Sequence, residues 1–187
     1  MFLSELPAAV QQTIQKKIVG ATLDEIDKSF EDVDISYDVQ ITRDDKARDF
    51  DVSTNGDLLD EQVFLNEVPD ALQKTIQNEA GYAAVGDIYK SVDDDGISYD
   101  VDMTKGTTTR TVTFDEDGTI SSQEQPIKLS DVPNAAQKAI KSLDGKILNV
   151  SKVTEDGEIS YDVDLISSDK PKTVSISADG KILPDDD

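Results

Sequence analysis

The chain has 187 residues and carries 40 Asp and Glu against 18 Lys and Arg, so its net charge is −22, and it contains no Cys, His or Trp. This composition excludes disulfides, thiolate or imidazole metal sites, and nucleophilic catalysis by Cys or His. The negative charge argues against binding to nucleic-acid phosphates or to an anionic membrane surface, and no apolar run approaches the roughly 20 residues of a membrane span.

An internal repeat organises the sequence. The pentapeptide Ile-Ser-Tyr-Asp-Val occurs at 35–39, 97–101 and 159–163, and a glycine follows each copy at the same distance, at Gly56, Gly118 and Gly180. Because self-similarity at a fixed period is typical of tandem architectures, we predict three repeats, at 1–63, 64–126 and 127–187. A unit of about 60 residues is marginally stable alone, so we expect neighbouring repeats to share sheet edges or to pack their helices together.

Each repeat is predicted to begin with a short amphipathic helix. Ser4, Asn66 and Ser130 are expected to be the N-cap residues, with a proline three positions later in the first turn. Apolar residues then recur at helical spacing, as at Val10 and Ile14 in the first repeat. A helix of about three turns is marginal in isolation, so its apolar face needs a sheet to pack on.

Alternating apolar and polar residues after each helix predict three or four strands. Tyr37 and Val39 share one face of a strand, whereas Ser36 and Asp38 share the other. Asp-, Asn- and Gly-rich segments between the strands are typical of hairpin turns, and Ile182 marks the last strand of the third repeat. The predicted fold class is therefore α+β: three tandem helix-plus-antiparallel-sheet (α-β-β-β-β) repeats, each with one helix packed on a small antiparallel sheet.

Short motifs recur around this pattern. They are Ser-Asp-Val-Pro at 130–133, an amphipathic helix with Ala-Ala, strands carrying Ile-Ser-Tyr-Asp-Val, and a closing Ala-Asp-Gly-Lys-Ile at 178–182. In these motifs the chain resembles, over nearly its whole length, the PepSY-like family, also called putative beta-lactamase-inhibitor-like. The resemblance implies export to the periplasm or cell surface and a binding or inhibitory role toward a protein, such as an exported peptidase. It implies no catalytic residue.

The polar face of the pentapeptide strands is the candidate partner-binding site. It consists of Ser36, Asp38, Ser98, Asp100, Ser160 and Asp162. Because side chains alternate along a strand, these residues are expected opposite a core that contains the tyrosines of the same strands. The face could serve only for hydration, or it could dock a basic partner.

Cation binding is considered because 30 of the acidic residues are Asp. Asp115, Asp117, Gly118 and Glu124 match positions 3, 5, 6 and 12 of an EF-hand loop, but position 1 is a Thr and the flanks have strand character, so we expect a plain hairpin turn. The turn at 93–95 could bind cations loosely. The sequence predicts no catalytic residue, no cofactor and no dedicated metal site.

We therefore interpret the chain as a non-catalytic binding protein with an unidentified protein partner, not as an enzyme. Two alternatives stay open, a structural or solubility role of a highly acidic surface protein and an acidic mimic of nucleic acid. The resemblance implies a periplasmic or extracellular location. The segment after Met1 has neither the basic region nor the long apolar stretch of a signal peptide, so none is expected in this chain.

Overall fold

The computed structural model describes residues 1–31, 34–93, 96–155, 157–168 and 170–184. These residues form three α-helices: α1 (Ala8–Lys17), α2 (Asp70–Ala80) and α3 (Asn134–Ser142). A 3₁₀ turn precedes each helix, over Leu3–Glu5, Leu65–Glu67 and Leu129–Asp131. None of the helices in the described residues has the length and apolar character that crossing a membrane requires.

The helices begin later than the sequence predicted. Ser4, Asn66 and Ser130 lie within the 3₁₀ turns, so their prediction as N-cap residues was wrong. Pro7 and Pro133 are the N-cap residues of α1 and α3, and both have φ near −55° and ψ near 145°. A proline suits this position because its ring fixes φ and the N–H that it lacks would have no partner within the helix.

Eleven β-strands lie in the described residues and follow one another in chain order in an antiparallel sheet. Their bounds are β1 Thr22–Glu31, β2 Asp34–Arg43, β3 Lys46–Ser53, β4 Leu58–Val63, β5 Ala84–Val92, β6 Ile97–Lys105, β7 Thr108–Asp115, β8 Ile120–Pro126, β9 Lys146–Glu155, β10 Glu158–Ser167 and β11 Lys170–Ser177. The predicted α+β class is confirmed. The element order also recurs, since α1 precedes β1 to β4, α2 precedes β5 to β8, and α3 precedes β9 to β11.

The end of the chain departs from the predicted four-strand pattern. Ile182 forms an isolated bridge with Ile176 instead of a strand, so α3 is followed by three strands within the described residues. The backbone N–H of Leu183 still donates to the carbonyl of Ser175 at 2.9 Å. Pro184 comes next and has no N–H with which to extend the ladder.

The chain divides into two compact units. The first unit contains Met1–Asn78, Asp87–Val101 and Asp115–Gly118, and the second contains Glu79–Gly86, Asp102–Phe114 and Thr119–Asp187. In the first unit α1 packs on β1 to β3 around a core of Leu6, Val10, Ile14, Ile26, Tyr37, Val39, Ile41, Phe50 and Val52. In the second unit α3 covers β9 to β11 in the same way, around Val132, Ala136, Ile140, Val150, Tyr161, Val163, Leu165, Val174 and Ile176.

Sheet pairing joins the segments that the sequence separates near residues 63 and 126. In the first unit β4 pairs with β5, with Asp60 opposite Ser91 and Val63 opposite Ile88. In the second unit β8 pairs with β9, with Ser122 opposite Glu155. The strand before each of these two positions therefore pairs with the first strand after the next helix, so that neither strand is an edge there.

The tyrosines of the pentapeptide strands are core residues, as predicted. Tyr37, Tyr99 and Tyr161 are each no more than 6% exposed. Because side chains alternate along a strand, the residues on either side of each tyrosine are turned to the opposite face of the sheet. This alternation creates the polar face described next.

Candidate functional site

The six residues predicted to form the binding face are all half-buried, and each is next to a buried tyrosine in the sequence. Ser36 and Asp38 lie on β2 and belong to the first unit, as do the β6 residues Ser98 and Asp100. The remaining two, Ser160 and Asp162, lie on β10 in the second unit. The surroundings of these aspartates differ between the two units.

In the first unit four aspartates lie side by side across four strands. Asp27 on β1 is opposite Asp38 on β2, Asp38 is opposite Asp51 on β3, and Asp51 is opposite Asp60 on β4. We call these four residues the aspartate row. Directly opposite residues in an antiparallel pair have their Cβ atoms about 5 Å apart, and like charges at this spacing destabilise a sheet. The first unit therefore concentrates negative charge on the face turned away from its core.

Asp38 shows the electrostatic consequence. Burial raises the pKa of its carboxyl group, and the charges of Asp49, Asp27 and Glu25 raise it further, while a hydrogen bond from Gln40 lowers it in part. The Oδ1 atom of Asp38 is buried and has no hydrogen-bond partner among the described residues. A cationic group brought to this carboxylate would supply the charge that the fold does not place there.

Two hydrogen bonds between side chains also belong to this face, one made by Tyr89 and the other by Gln62. The Tyr89 hydroxyl donates to Oδ1 of Asp49 at 3.3 Å, and Nε2 of Gln62 donates to Oδ1 of Asp87 at 2.8 Å. Burial and the charges of Asp49, Asp87 and Asp60 raise the pKa of Tyr89. The phenol therefore stays protonated at neutral pH and acts as a donor and as an aromatic surface.

The aspartates on β10 of the second unit have neutral hydroxyl partners. The Ser175 hydroxyl donates to Oδ1 of Asp162 at 2.7 Å, and the Thr173 hydroxyl donates to Oδ1 of Asp164 at 2.8 Å. On β6 and β7 of the same unit, the Thr111 hydroxyl donates to Asp102 at 2.8 Å. Where the second unit has hydroxyl donors on β11, the first unit has Asp49 and Asp51 on β3, 124 residues earlier in the sequence.

The prediction from sequence missed Asp27, Asp51, Asp60 and Tyr89. Alternation on β3 was the available signal for Asp51, since it lies between the buried Phe50 and Val52. No such signal existed for Asp60, because a bulge between Asp51 and Val52 shifts the register with β4. The row becomes visible only when the pairing of four strands is known.

The described residues do not form a metal centre. No group of three or more Asp and Glu side chains among them is arranged to hold a metal ion. The EF-hand-like segment is a hairpin between β7 and β8, where the N–H of Gly118 donates to the carbonyl of Asp115 at 2.9 Å, so the predicted turn is confirmed. In the turn at 93–95, Asp93 accepts a hydrogen bond from the N–H of Gly96, and residues 94 and 95 lie outside the described residues.

Comparison with protein families gives a match over most of the chain. The model of the family described as "Putative beta-lactamase-inhibitor-like, PepSY-like" matches residues 35–122 and 97–183. The two matches overlap, and each contains one of the helices α2 and α3 together with strands on both sides of it. No curated protein matches the chain.

Solved structures with the same fold include proteins of Bacteroides. A protein of Bacteroides eggerthii described as a putative periplasmic protein has 19% identity and a TM-score of 0.54, and the match covers 63% of this chain and 86% of that one. DUF2874 family proteins of Bacteroides uniformis and Bacteroides ovatus have 18% and 17% identity and TM-scores of 0.52 and 0.51. Each of these two matches covers 62% of this chain, with 86% and 84% of the respective relative.

Proposed function

The chain belongs to the putative beta-lactamase-inhibitor-like, PepSY-like family, and we propose that it is a non-catalytic protein that binds, and through binding inhibits, another protein. The family description supports a role as an inhibitor-like binder, and the polar face of the sheet offers the contact surface. The partner's identity is left to experiment; an exported enzyme such as a peptidase is the class we favour.

The observation that carries the proposal is the aspartate row of the first unit. Four carboxylates lie on neighbouring strands, and one oxygen of Asp38 is buried without a partner among the described residues. Like charges directly opposite each other destabilise a sheet, so a cationic contact at Asp38 would relieve a repulsion that the fold otherwise carries. We propose that a Lys- or Arg-rich segment of the partner lies across this row.

The wider binding face comprises the six residues predicted from the sequence, Ser36, Asp38, Ser98, Asp100, Ser160 and Asp162. We assign the main contact to Asp38 and its neighbours because the aspartates of the second unit already accept hydrogen bonds from hydroxyl groups. Tyr89 adds an aromatic side chain of the kind enriched at protein interfaces. The Tyr89–Asp49 hydrogen bond would hold this ring beside the aspartate row.

We further propose that the chain consists of three tandem repeats, at 1–63, 64–126 and 127–187. Three copies of one pentapeptide and the recurring order of helix and strands support this division. The solved relatives align with 62–63% of the chain, which is close to two of three such repeats. On this interpretation a relative holds two repeats and this chain adds a third.

A location outside the cytoplasm is part of the proposal. One relative of the same fold is described as a putative periplasmic protein, and the absence of Cys is compatible with an oxidising compartment because no thiol could form an unwanted disulfide. Fractionation of the source cells with an antibody to this chain would test the location. Recovery in the cytoplasmic fraction alone would contradict it.

Binding to a partner can be tested with two variants of equal charge. The face variant carries Asp38→Asn, Asp51→Asn and Asp60→Asn, and the loop variant carries Asp44→Asn, Asp45→Asn and Asp144→Asn. The loop positions are exposed, and asparagine tolerates the positive φ of 53° at Asp44 and 61° at Asp45. A partner captured from the envelope fraction by the native chain would be identified, purified and titrated against all three proteins.

We expect the face variant to bind the purified partner at least about tenfold more weakly than the native chain, whereas the loop variant binds it with unchanged affinity. If the partner is an enzyme, its activity should fall on addition of the native chain and of the loop variant. Equal binding by the face variant would contradict the assignment of the aspartate row. A loss confined to the loop variant would place binding on the hairpin loops instead.

A further inference from the structure

An open cleft lies in the second unit beside the C-terminal end of α2, and its volume is about 470 Å³. Ala80, Ala83 and the buried Met103 give it apolar walls. Lys105 and Arg110 supply two cations. Its remaining lining residues are Thr108 and Gln125, which are exposed and can form hydrogen bonds.

The first unit shows why this cleft is open. At the corresponding place, 62 residues earlier, the cavity beside Ile41 and Arg43 measures only about 20 Å³. Ile18 packs against the core there, whereas the smaller Ala80 stands at the corresponding position of the second unit. Because alanine is smaller than isoleucine, this exchange leaves more room at the end of α2, where the cleft lies.

A second exchange leaves a cation available in the cleft. In the first unit the Arg43 guanidinium donates to the backbone carbonyls of Lys17 and Val19 at the end of α1. Lys105 stands at the corresponding position, its side chain is exposed, and it forms no ion pair with any described residue. Its ammonium group is thus free to meet a ligand.

Arg110 has a fixed position at the other side of the cleft. Its Nη2 atom donates to the Glu79 carboxylate at 2.8 Å and to the Glu79 carbonyl at 3.1 Å, and its Nη1 atom donates to Gln123 at 3.1 Å. These bonds hold the guanidinium beside Met103, whose sulfur lies 3.6 Å from Nη2. The Glu79 carboxylate that pairs with Arg110 is not among the residues that line the cleft, and Lys105 supplies its positive charge without an ion-pair partner among the described residues, in a chain with a net charge of −22.

These features select the chemistry of the occupant. The cations favour a carboxylate, and the three apolar side chains provide room for one apolar side chain next to it. A long acyl chain would need a larger apolar wall, whereas a peptide main chain can pair with Thr108 and Gln125. Tyr82, which is fully exposed in the turn after α2, stands two residues from Ala80 and can contact the preceding residues of a peptide.

We propose that this cleft binds the C-terminal residue of a peptide chain, with its carboxylate at Lys105 and Arg110 and its apolar side chain against Ala80, Ala83 and Met103. The inference goes beyond the proposed function, because it concerns a different set of residues and the opposite charge. Loss of binding at the aspartate row would leave it unaffected. The site would recognise a free C-terminus, whether of a partner or of a cleaved fragment.

The test uses the full chain and a fluorescein-labelled pentapeptide, Gly-Ser-Gly-Ala-Leu, with either a free C-terminal carboxylate or a C-terminal amide. Binding is followed by fluorescence anisotropy. We expect the free carboxylate to bind at least about tenfold more tightly than the amide, since only the carboxylate can form charge-assisted hydrogen bonds with Lys105 and Arg110. Decanoate, added as a competitor, tests an acyl carboxylate as the other source of the same chemistry.

Three variants separate the site from general charge effects. Lys105→Gln should weaken binding of the free carboxylate about fivefold or more, whereas Lys138→Gln, at an exposed position on α3, should not change it. Ala80→Ile places in the cleft the side chain that the first unit has at Ile18 and should abolish binding while circular dichroism shows an intact fold. Several results would each overturn the proposal. Among the ligands, these are equal affinity for carboxylate and amide, tighter binding of decanoate than of the peptide, or no saturable binding at millimolar peptide. Among the variants, they are unchanged binding by Lys105→Gln or by folded Ala80→Ile.

Discussion

Asp27 on β1 and Asp38 on β2 lie directly opposite each other. At the places that correspond to Asp27, 62 and 124 residues later, the sequence has Tyr89 and Ser151 instead of an aspartate. The pKa of Asp38 is raised, first by burial and then by the charges of Asp49, Asp27 and Glu25. A carboxyl group with a raised pKa binds its proton more tightly in the folded than in the unfolded state. Its contribution therefore favours folding below the ordinary value of 3.8 and is lost as the pH rises through the folded pKa.

The first prediction is that Asp38→Asn stabilises the protein at neutral pH. Asparagine carries no charge beside Asp27 and Asp49, and its amide can donate to their carboxylates. We expect a gain below about 1 kcal/mol in the free energy of unfolding at pH 7, because the site is half-exposed and screened. The gain should shrink as the pH falls below the folded pKa, where native Asp38 is protonated. Urea unfolding at several pH values measures it.

Asp162→Asn is the matched control for this prediction. Asp162 occupies the corresponding place on β10 and accepts a hydrogen bond from the Ser175 hydroxyl at 2.7 Å. Its replacement removes a charge that already has a good donor, so no stabilisation at pH 7 is expected. If both variants were equally stabilised, lower net charge and not the local arrangement of carboxylates would be the cause.

The second prediction concerns Glu67 in the 3₁₀ turn before α2. Burial raises the pKa of Glu67, but the N–H of Phe64 and the guanidinium of Arg48 outweigh this effect, and the pKa is lowered. Arg48 makes two hydrogen bonds of 2.9 Å to the carboxylate. The stability that Glu67 contributes is therefore present above its ordinary pKa of 4.5 and is lost as the pH falls through the folded pKa. Glu67→Gln should cost about 1 kcal/mol at pH 7, a modest value because the pair is partly exposed.

Glu5 provides the comparison. Its carboxylate accepts the N–H of Phe2 at 2.9 Å, as Glu67 accepts that of Phe64, but it forms no ion pair with a described residue. Glu5→Gln should therefore destabilise the protein less than Glu67→Gln, and only the loss in Glu67→Gln should decrease in high salt. Equal losses in the two variants would show that Arg48 adds nothing to the cap.

The core of the strands could be predicted from the sequence, whereas the helix starts could not. Alternation identified Tyr37, Tyr99 and Tyr161 as buried because a strand has a period of two whatever its neighbours are. The N-caps were misassigned because Ser4, Asn66 and Ser130 have the residue type of an N-cap but lie within 3₁₀ turns that precede the helices. Residue type alone did not reveal that the chain turns once more before each helix begins.

The candidate sites, too, could be predicted from the sequence only in part. The position of Asp38 opposite the core of its strand followed from alternation, but the aspartate row depends on four strand registers and on the bulge after Asp51. The cleft of the second unit depends on two exchanges. Ala80 is smaller than the corresponding Ile18, and Lys105 stands in place of Arg43, which binds carbonyl groups at the end of α1. Alignment of the sequence with itself at the 62-residue spacing of the pentapeptides would have revealed the change from Ile18 to Ala80, but its effect needed the positions of Met103 and Arg110.

The third prediction uses two glycines with similar backbones. Gly56 and Gly20 have φ values of 89° and 75°, both in the left-handed region that disfavours a Cβ atom. A Cβ at Gly56 would lie 2.8 Å from the backbone carbon of Ala9 on α1, whereas a Cβ at Gly20 would meet nothing within 4 Å. Gly20→Ala should cost about 1 kcal/mol from the backbone alone. Gly56→Ala should cost about 1–3 kcal/mol more, because the turn and the helix must move apart.

Urea unfolding of the two glycine variants measures this difference. The Thr13 hydroxyl donates to the Gly56 carbonyl at 2.6 Å, so displacement of the turn should also disturb α1. Near-ultraviolet circular dichroism or amide hydrogen exchange in α1 would detect this change in Gly56→Ala but not in Gly20→Ala. Equal losses of stability would mean that the turn is not in tight contact with the helix.

The last prediction concerns salt. The sequence has 40 acidic and 18 basic residues, so repulsion between carboxylates outweighs attraction over the surface. The Debye length falls from about 30 Å at 0.01 M to about 10 Å at 0.1 M salt, which screens repulsion between exposed groups. The melting temperature should therefore rise as NaCl increases over this range. The rise should be smaller in the face variant than in the loop variant, although both lose three charges, because Asp38, Asp51 and Asp60 lie on neighbouring strands. A flat or falling melting temperature in the native chain would mean that local partners already compensate the carboxylates. Equal rises in the two variants would mean that the aspartate row contributes no more repulsion than scattered surface charge.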